Sequence, residues 1–562
     1  MPRVRLRLLA ATLFAVSLFS VTAFQITEAQ HTGIDTYAIT NARIVPVSGA
    51  TIDKGTVVIR NGLIAAVGPN VNVPSDARVI DGSGLTVYPG LIDSYSNLAL
   101  PEASPQPTGG TGGGGGIAFL LQQANAPRPA GPNSTQPAGL QPETMVEDVI
   151  RTGGTDVESA RNAGFTSALT LPRTGIWMGQ SALINLNGET PQQMIVRSPV
   201  AMHVGFTPLR GGYPGSLMGV FATLRQMMLD AQRYRDSQAI YDRSPKGVRR
   251  PDTDRSLAAL VPVINGSFPV VMLANTEREI TRALDLGTEF KLKLIIAGGR
   301  ESDRVTDRLV KQNVPVLLSL NLPRRTTAAM PEAEPEPLRV LRERVEAQQT
   351  AGKLAKAKVR FAFESGSLTN ASDILLNAGR TIENGLSSED ALRAFTIWPA
   401  EILGAANQLG SIEVGKIANL TITRGDIFDR NSRVTNVFID GKPVDLRPAP
   451  AGPGGVTSPS RNLTGAWSLT VNLGEEKTAT LNLRQEGDRL TGSIQGPLGT
   501  GEIANATTGN EVKFTLVLNI GGQTKEATFA GALGPNVNEI RGAVTVDGLA
   551  PGTFTATRST PN

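Results

Sequence analysis

The chain has no cysteine and only two histidines in 562 residues. The missing cysteine excludes disulfides, zinc fingers, iron–sulfur clusters and thiol nucleophiles together. The scarcity of histidine is as informative, because metal hydrolases and His-based triads draw on imidazoles. Charge of either sign is also lacking in excess: 54 Lys and Arg stand against 50 Asp and Glu, a net charge of +4. With no basic block, the footprint of a nucleic-acid binder is absent. No GxSxG elbow and no GxxxxGK[ST] loop occur, which removes two further routes to chemistry. What is present is a 40% apolar composition with 60 Gly and 37 Pro, enough for a real core with many turns.

Residues 1–23 have the make-up of an export leader. Arg3, Arg5 and Arg7 precede an apolar run from Leu8 to Phe19, and Val21-Thr22-Ala23 has the small-residue spacing of a cleavage site. The run is marginal for a membrane span. The expected mature protein is periplasmic or extracellular, without a membrane anchor.

Residues 36–88 read as short alternating strands, with Arg60-Asn61-Gly62 as a hairpin signal. Residues 101–146, with five consecutive glycines and many prolines, read as a flexible loop. From about 147 to 404, apolar strands alternate with helical patterns. The strands are Ser167–Leu171, Val270–Ala274, Leu294–Ala297, Val314–Leu318 and Val359–Phe363; Glu277–Phe290 and Asp303–Gln312 are helical. Such alternation predicts a parallel sheet, and over this length an α/β, TIM-type (β/α)8 barrel. Short strands return at 411–446. A Pro/Gly linker at 447–460 then leads into 461–562, where strict period-two alternation predicts an all-β meander, closed as a barrel or a sandwich.

Two long motifs lie at the ends of the alternating region. The first is NARIVPVSGATIDKGTVVIRNGLIAAVGPNVNVPSDARVIDGSGLTVYPGLIDSYSNL, and the second is LSSEDALRAFTIWPAEILGAANQLGSIEVGKIANLTITRGD. Both resemble the amidohydrolase superfamily, and GQSALINLNG with VVMLANTEREITRALDL resembles its imidazolonepropionase-like branch. The resemblance covers roughly 36–446. It implies a barrel at 91–404 and a two-segment β-sandwich built from 33–90 and 405–446.

The family's chemistry is metal-assisted hydrolysis of C–N bonds at the barrel mouth. Its "PGLIDxHxH" pattern falls on Pro89-Gly90-Leu91-Ile92-Asp93-Ser94-Tyr95-Ser96-Asn97, so the resemblance puts Tyr95 and Asn97 at the two ligand histidines. The histidine after strand 5 falls on Leu273. The site after strand 6 reads Ala297-Gly298-Gly299, and the aspartate after strand 8 falls on Gly366. A barrel zinc site needs about three protein ligands. His31 precedes the first strand, which leaves His203 as the one imidazole of the barrel.

The implied protein is a metal-free, degenerate family member that binds rather than cleaves, alone or as a homo- or hetero-oligomer with a related amidohydrolase. Its expected ligand is small and amide-like or peptide-like, and no cofactor is expected. The enzyme alternative is a C–N hydrolase with an atypical site of Asp93, Tyr95, Glu364 and His203, or one divalent metal (Zn or Mn). A third reading gives the function to the C-terminal β domain as a surface- or polymer-binding module.

Each candidate also has a plain structural role. Asp93 caps backbone N–H groups. Tyr95 and Asn97 hold each other by a hydrogen bond or bind a polar ligand. Glu364 ends strand 8 with no evident carboxylate partner. His203, on an apolar strand, is a hydrogen-bonded core histidine. Arg300 and Glu301 form an ion pair at a helix start, or Arg300 clamps an anion. Asn275, after a strand end, is a further binding candidate.

Overall fold

The computed structural model describes residues 36–101 and 136–446, apart from 173, 210–212, 324–336, 367 and 369–370, and the strands within 463–559 without several of their turns. The leader, residues 102–135 and the linker at 447–460 lie outside the described residues. The chain divides into two compact units, 1–447 and 448–562.

The first unit opens with β1 (Thr36–Ile44), β2 (Ile52–Arg60), β3 (Leu63–Gly68), β4 (Arg78–Asp81) and β5 (Thr86–Pro89). Next come β6 (Leu91–Ser96), β7 (Phe165–Thr170), β8 (Trp177–Gln180), β9 (Ala182–Asn185), β10 (Ile195–Arg197) and β11 (Met202–Gly205). They are followed by β12 (Val270–Ala274), β13 (Leu294–Gly298), β14 (Val316–Ser319) and β15 (Phe361–Glu364), and then by β16 (Leu420–Arg424), β17 (Arg433–Ile439) and β18 (Lys442–Val444).

β1 to β5 and β16 to β18 form one sheet, in the order β18-β17-β16-β5-β1-β2-β3 with β4 also on β1. Asn61-Gly62 and Asp440-Gly441 turn two of its hairpins, and all four residues have positive φ, as the primed turns that match strand twist require. The ends of this sheet approach each other: the Ala418 N–H donates to the Gly62 carbonyl and the Ile64 N–H to the Lys416 carbonyl. A bulge at Asn41 (φ 56°) lets β1 pair with β4 along one stretch and β5 along the next. One apolar cluster draws Ile39, Val57, Ile64, Val87, Ile422 and Phe438 from six of its strands.

The middle of the unit contains two mixed sheets, β10-β9-β7-β6 and β15-β14-β13-β12-β11-β8. β6 runs parallel to β7, and β11 to β15 run parallel to one another. β8 and β9 run against their neighbours, β11 and β7 respectively. The cause is local. Only residues 171–176 separate β7 from β8, and a parallel return needs a crossover of about a dozen residues or more. Residues 136–146, expected as part of the flexible loop, lie along β8. Leu140 and Val146 are buried, and the Trp177 N–H donates to the Gly139 carbonyl.

Alternate residues of these strands feed two apolar clusters. One takes the helix-facing side chains, such as Phe165, Met202, Val204, Met272, Ile296 and Phe363. The other takes Ile92, Leu169, Leu183, Val271, Ile295, Leu317 and Ala362. The helix Glu277–Glu289 matches its pattern and starts at a capping box of Thr276 and Glu279. The helix expected at Asp303–Gln312 is a tight turn, Ser302–Val305, followed by Thr306–Lys311. Among the described residues no helix is long and apolar enough to cross a membrane.

The second unit has β19 (Gly465–Asn472), β20 (Glu476–Glu486), β21 (Arg489–Gly496), β22 (Gly499–Thr507), β23 (Glu511–Ile520), β24 (Gln523–Leu533), β25 (Glu539–Val546) and β26 (Gly552–Arg558). Each strand pairs antiparallel with the next and β26 returns to β19, which closes a barrel. Trp467, Leu469, Phe514, Phe529 and Phe554 fill its core. The Trp467 indole N–H donates to the Leu463 carbonyl at 3.0 Å, and the Arg558 guanidinium lies over its ring. This tryptophan is fully buried in the core.

Candidate functional site

β6 and β15 carry the chemistry. The two strands are held side by side by the Ser94 hydroxyl, which donates to the Phe363 carbonyl at 2.7 Å. Asp93 is 2% exposed, and its Oδ1 accepts the backbone N–H groups of Tyr95 (3.3 Å) and Ser365 (3.1 Å). It therefore does bind backbone amides, but across two strands. Glu364, also 2% exposed, accepts the Gly366 N–H at 2.6 Å and a bond from the Ser319 side chain.

The two carboxyls affect each other. Burial raises Asp93 to about 6, against its hydrogen bonds from Ser365 and Tyr95. Burial, and then the charge of Asp93, raise Glu364 to about 8, which the hydrogen bonds from Gly366 and Ser319 and then Arg300 oppose. Glu364 thus has the carboxylate partner that the sequence did not reveal. Burial thus disfavours the charged form of both, and Glu364, beside the Asp93 charge, keeps its proton to higher pH than Asp93.

Tyr95 sits between this pair and β11. Its ring is part-exposed, and burial and the nearby Glu364 charge raise its hydroxyl above the ordinary range. The Tyr95 and His203 ring centroids are 5.6 Å apart. His203 is fully buried, and burial lowers it to about 3, so the imidazole is neutral. Neither ring nitrogen has a hydrogen-bond partner among the described residues. The expectation of a hydrogen-bonded core histidine is thus corrected: Met202 and Val204 face the helices, so His203 points the other way, into an apolar interior with no partner to offer.

The other candidates have different partners from those expected. Asn97 donates to the Leu171 carbonyl at 3.0 Å rather than to Tyr95, because the β6 ladder shifts register between Asp93 and Ser96. Asn275 stands at the start of the helix Glu277–Glu289, its N–H on Glu279 and its carbonyl accepting from Glu301. Arg300 lies 3.8 Å from Glu343, while Glu301 pairs with Arg304 at 3.2 Å. The Arg300–Glu301 pair is absent because Glu301 also caps the Glu277 N–H. Sequence reasoning missed Ser319, whose one signal is a serine at a strand end, and gave Ser365 no role of its own.

Leu273 is apolar and part-buried on β12. Gly366 has φ 59°, and a side chain there would run into Ser319 Oγ and Asn321 Cβ. At Gly298 a side chain would meet Asn275. Among the described residues no three of His, Asp and Glu come together as a metal-binding group.

Comparison with known proteins agrees with this architecture. Residues 334–444 match the model of the Amidohydrolase family. Dihydroorotase of Anaeromyxobacter dehalogenans is 34% identical over 84 residues, 15% of this chain and 19% of that protein. Imidazolonepropionase of Vibrio cholerae is 30% identical over 144 residues, 23% of this chain and 34% of that protein. The chain therefore spans about a fifth to a third of the length of these curated relatives. The structure of an amidohydrolase from Thermotoga maritima superposes with a TM-score of 0.61 at 24% identity, over 73% of this chain and all of that one. Residues 334–444 thus resemble the amidohydrolase family, and the structural likeness shows a shared fold.

Proposed function

We propose that this chain is a metal-free member of the superfamily whose barrel mouth binds a small amide-like or peptide-like ligand. The underlying reading of the fold is a (β/α)8-type barrel with one reversed stave. It is supported by the single inner cluster fed from both mixed sheets and by the bonds joining β6 to β15. The observation that carries the function is the state of the metal positions. By the resemblance, Tyr95, Asn97, Leu273 and Gly366 take the positions of the family's ligands. Leucine and glycine have no donor side chain, and Ser319 and Asn321 take the space at Gly366. These residues do not fit a divalent metal. The same mouth still has convergent polar groups on rigid strand ends, as a binding pocket needs.

A second reading, C–N hydrolysis without metal, is favoured by one observation: Asp93 and Glu364 form a carboxyl pair of unlike protonation. Export through residues 1–23, and association with a second copy or a related amidohydrolase, belong to the same proposal. Elemental analysis of the purified mature protein tests it, after incubation with Zn²⁺, Mn²⁺ and Fe²⁺ and desalting. Less than about 0.1 metal per chain is expected from a mouth without three ligands, and about one per chain overturns the reading. A screen of amide, lactam and dipeptide hydrolysis by metal-free protein separates binding from the second reading.

A further inference from the structure

We propose that the tip joining the helix Leu217–Arg243 to the helix Arg255–Ile264 docks the protein onto an anionic phospholipid surface. This surface is separate from the strand ends that carry Asp93 and Glu364, and the proposal does not depend on them. Four basic residues, Arg243, Lys246, Arg249 and Arg250, fall within eight positions. Ser244, Pro245, Gly247 and Val248 interrupt them, so the sequence shows no block of charge. The structure turns them into a patch, because every residue from Asp242 to Arg250 is exposed. The last fully buried side chain of the first helix is Ala231, and residues 232–243 carry the helix about 18 Å further.

Unmatched charge distinguishes the tip. On other helices of this unit cations meet carboxylates: Arg225 lies 2.8 Å from Glu289, Arg308 2.8 Å from Asp285 and Lys353 2.7 Å from Asp303. At the tip Arg243, Lys246 and Arg250 have no ion-pair or hydrogen-bond partner among the described residues. Arg249 has only a 3.6 Å contact with Asp252, and those side chains are 88% and 92% exposed, so the pair contributes little. Within 242–250 the four cations face one carboxylate, Asp242, a net charge of +3 on a chain whose whole charge is +4. Aliphatic side chains stand among them: Ile240 is 57% and Val248 41% exposed. The mixture suits the interfacial zone of a bilayer. The guanidinium and ammonium groups meet lipid phosphates, while Ile240 and Val248 enter the boundary between headgroups and acyl chains. A protein partner would need a buried anchor in a packed pocket, and a wholly exposed loop offers none.

The test is co-sedimentation of the mature protein with vesicles of phosphatidylcholine alone, or with about 30% phosphatidylglycerol added, in about 0.1 M NaCl. Binding is expected to the phosphatidylglycerol vesicles and not to phosphatidylcholine alone. Raising the salt to about 0.5 M should weaken it tenfold or more, because screening shortens the reach of exposed charges. The combined variant Arg243→Gln, Lys246→Gln and Arg250→Gln should lose affinity by about a hundredfold, roughly fivefold per cation. Val248→Ser should weaken binding several-fold and leave its salt dependence unchanged. Arg339→Gln with Arg342→Gln removes two exposed cations from the helix Leu338–Lys356 and should bind as the parent does. All of these side chains are on the surface apart from the partly exposed Val248, so each variant should keep the parent's near-UV circular dichroism. No binding, equal binding to both vesicle compositions, or parental affinity in the triple variant overturns the proposal. An equal loss in the Arg339 and Arg342 variant does so too, since the whole surface would then be responsible. Retention on heparin without binding to phosphatidylglycerol vesicles assigns the tip to a soluble polyanion and sinks the lipid surface.

Discussion

Replacing Glu364 by glutamine removes an ionisation without removing a shape. Glutamine still accepts the Gly366 N–H, and the side chain stays buried beside Asp93. The consequence depends on pH. Burial and Asp93 raise the folded-state pKa of Glu364 from 4.5 to about 8. Between those values the folded protein holds a proton that the unfolded chain has released, so parent stability falls as pH rises across the window. At 1.36 kcal/mol per unit, the loss between pH 5 and pH 8 is about 3 to 4 kcal/mol. Glu364→Gln does not titrate. Its stability relative to the parent should therefore be near zero at pH 5 and grow by about 3 kcal/mol by pH 8 to 8.5. The assay is urea unfolding of parent and variant at pH 5, 6.5 and 8.5, with near-UV circular dichroism reporting on the first unit. The C-terminal barrel is common to both proteins, so it drops out of the comparison. A difference that stays flat with pH, or that shrinks as pH rises, refutes the claim that Glu364 is buried against Asp93.

Two further changes probe the same mouth. His203→Leu removes two unpartnered nitrogens and a buried imidazole whose pKa is lowered to about 3. Because the unfolded imidazole takes a proton below about 6.5, parent stability is lost as pH falls; the variant should gain about 2 kcal/mol more at pH 5 than at pH 7.5, read from urea midpoints. Gly366→Asp places a carboxylate where the family resemblance expects one, but at φ 59° and into Ser319 and Asn321. It should destabilise the first unit by about 2 to 4 kcal/mol in the same assay without raising the metal content.

Much of the architecture was legible in the sequence because it follows from local rules. Asn61-Gly62 and Asp440-Gly441 announce turns because few other pairs tolerate two positive φ values. The period-two run from 463 onward sets an inside and an outside on every strand of the C-terminal barrel, although closure over sandwich was settled by β26 meeting β19. The scarcity of histidine already spoke against a usual metal site. The reversal of β8 and β9 was not seen, since it depends on the length of the link at 171–176 rather than on any pattern within the strands.

The site divides the same way. Residue types together with the family resemblance singled out Asp93, Glu364 and Tyr95 at predicted strand ends and His203 on an apolar strand. Only the tertiary structure brought Asp93 and Glu364 together, 271 positions apart in the chain, by setting β6 beside β15. Only burial made them interact strongly enough to separate their protonation states. A pKa is a property of surroundings, and those surroundings exist only when the strands have closed around the pair.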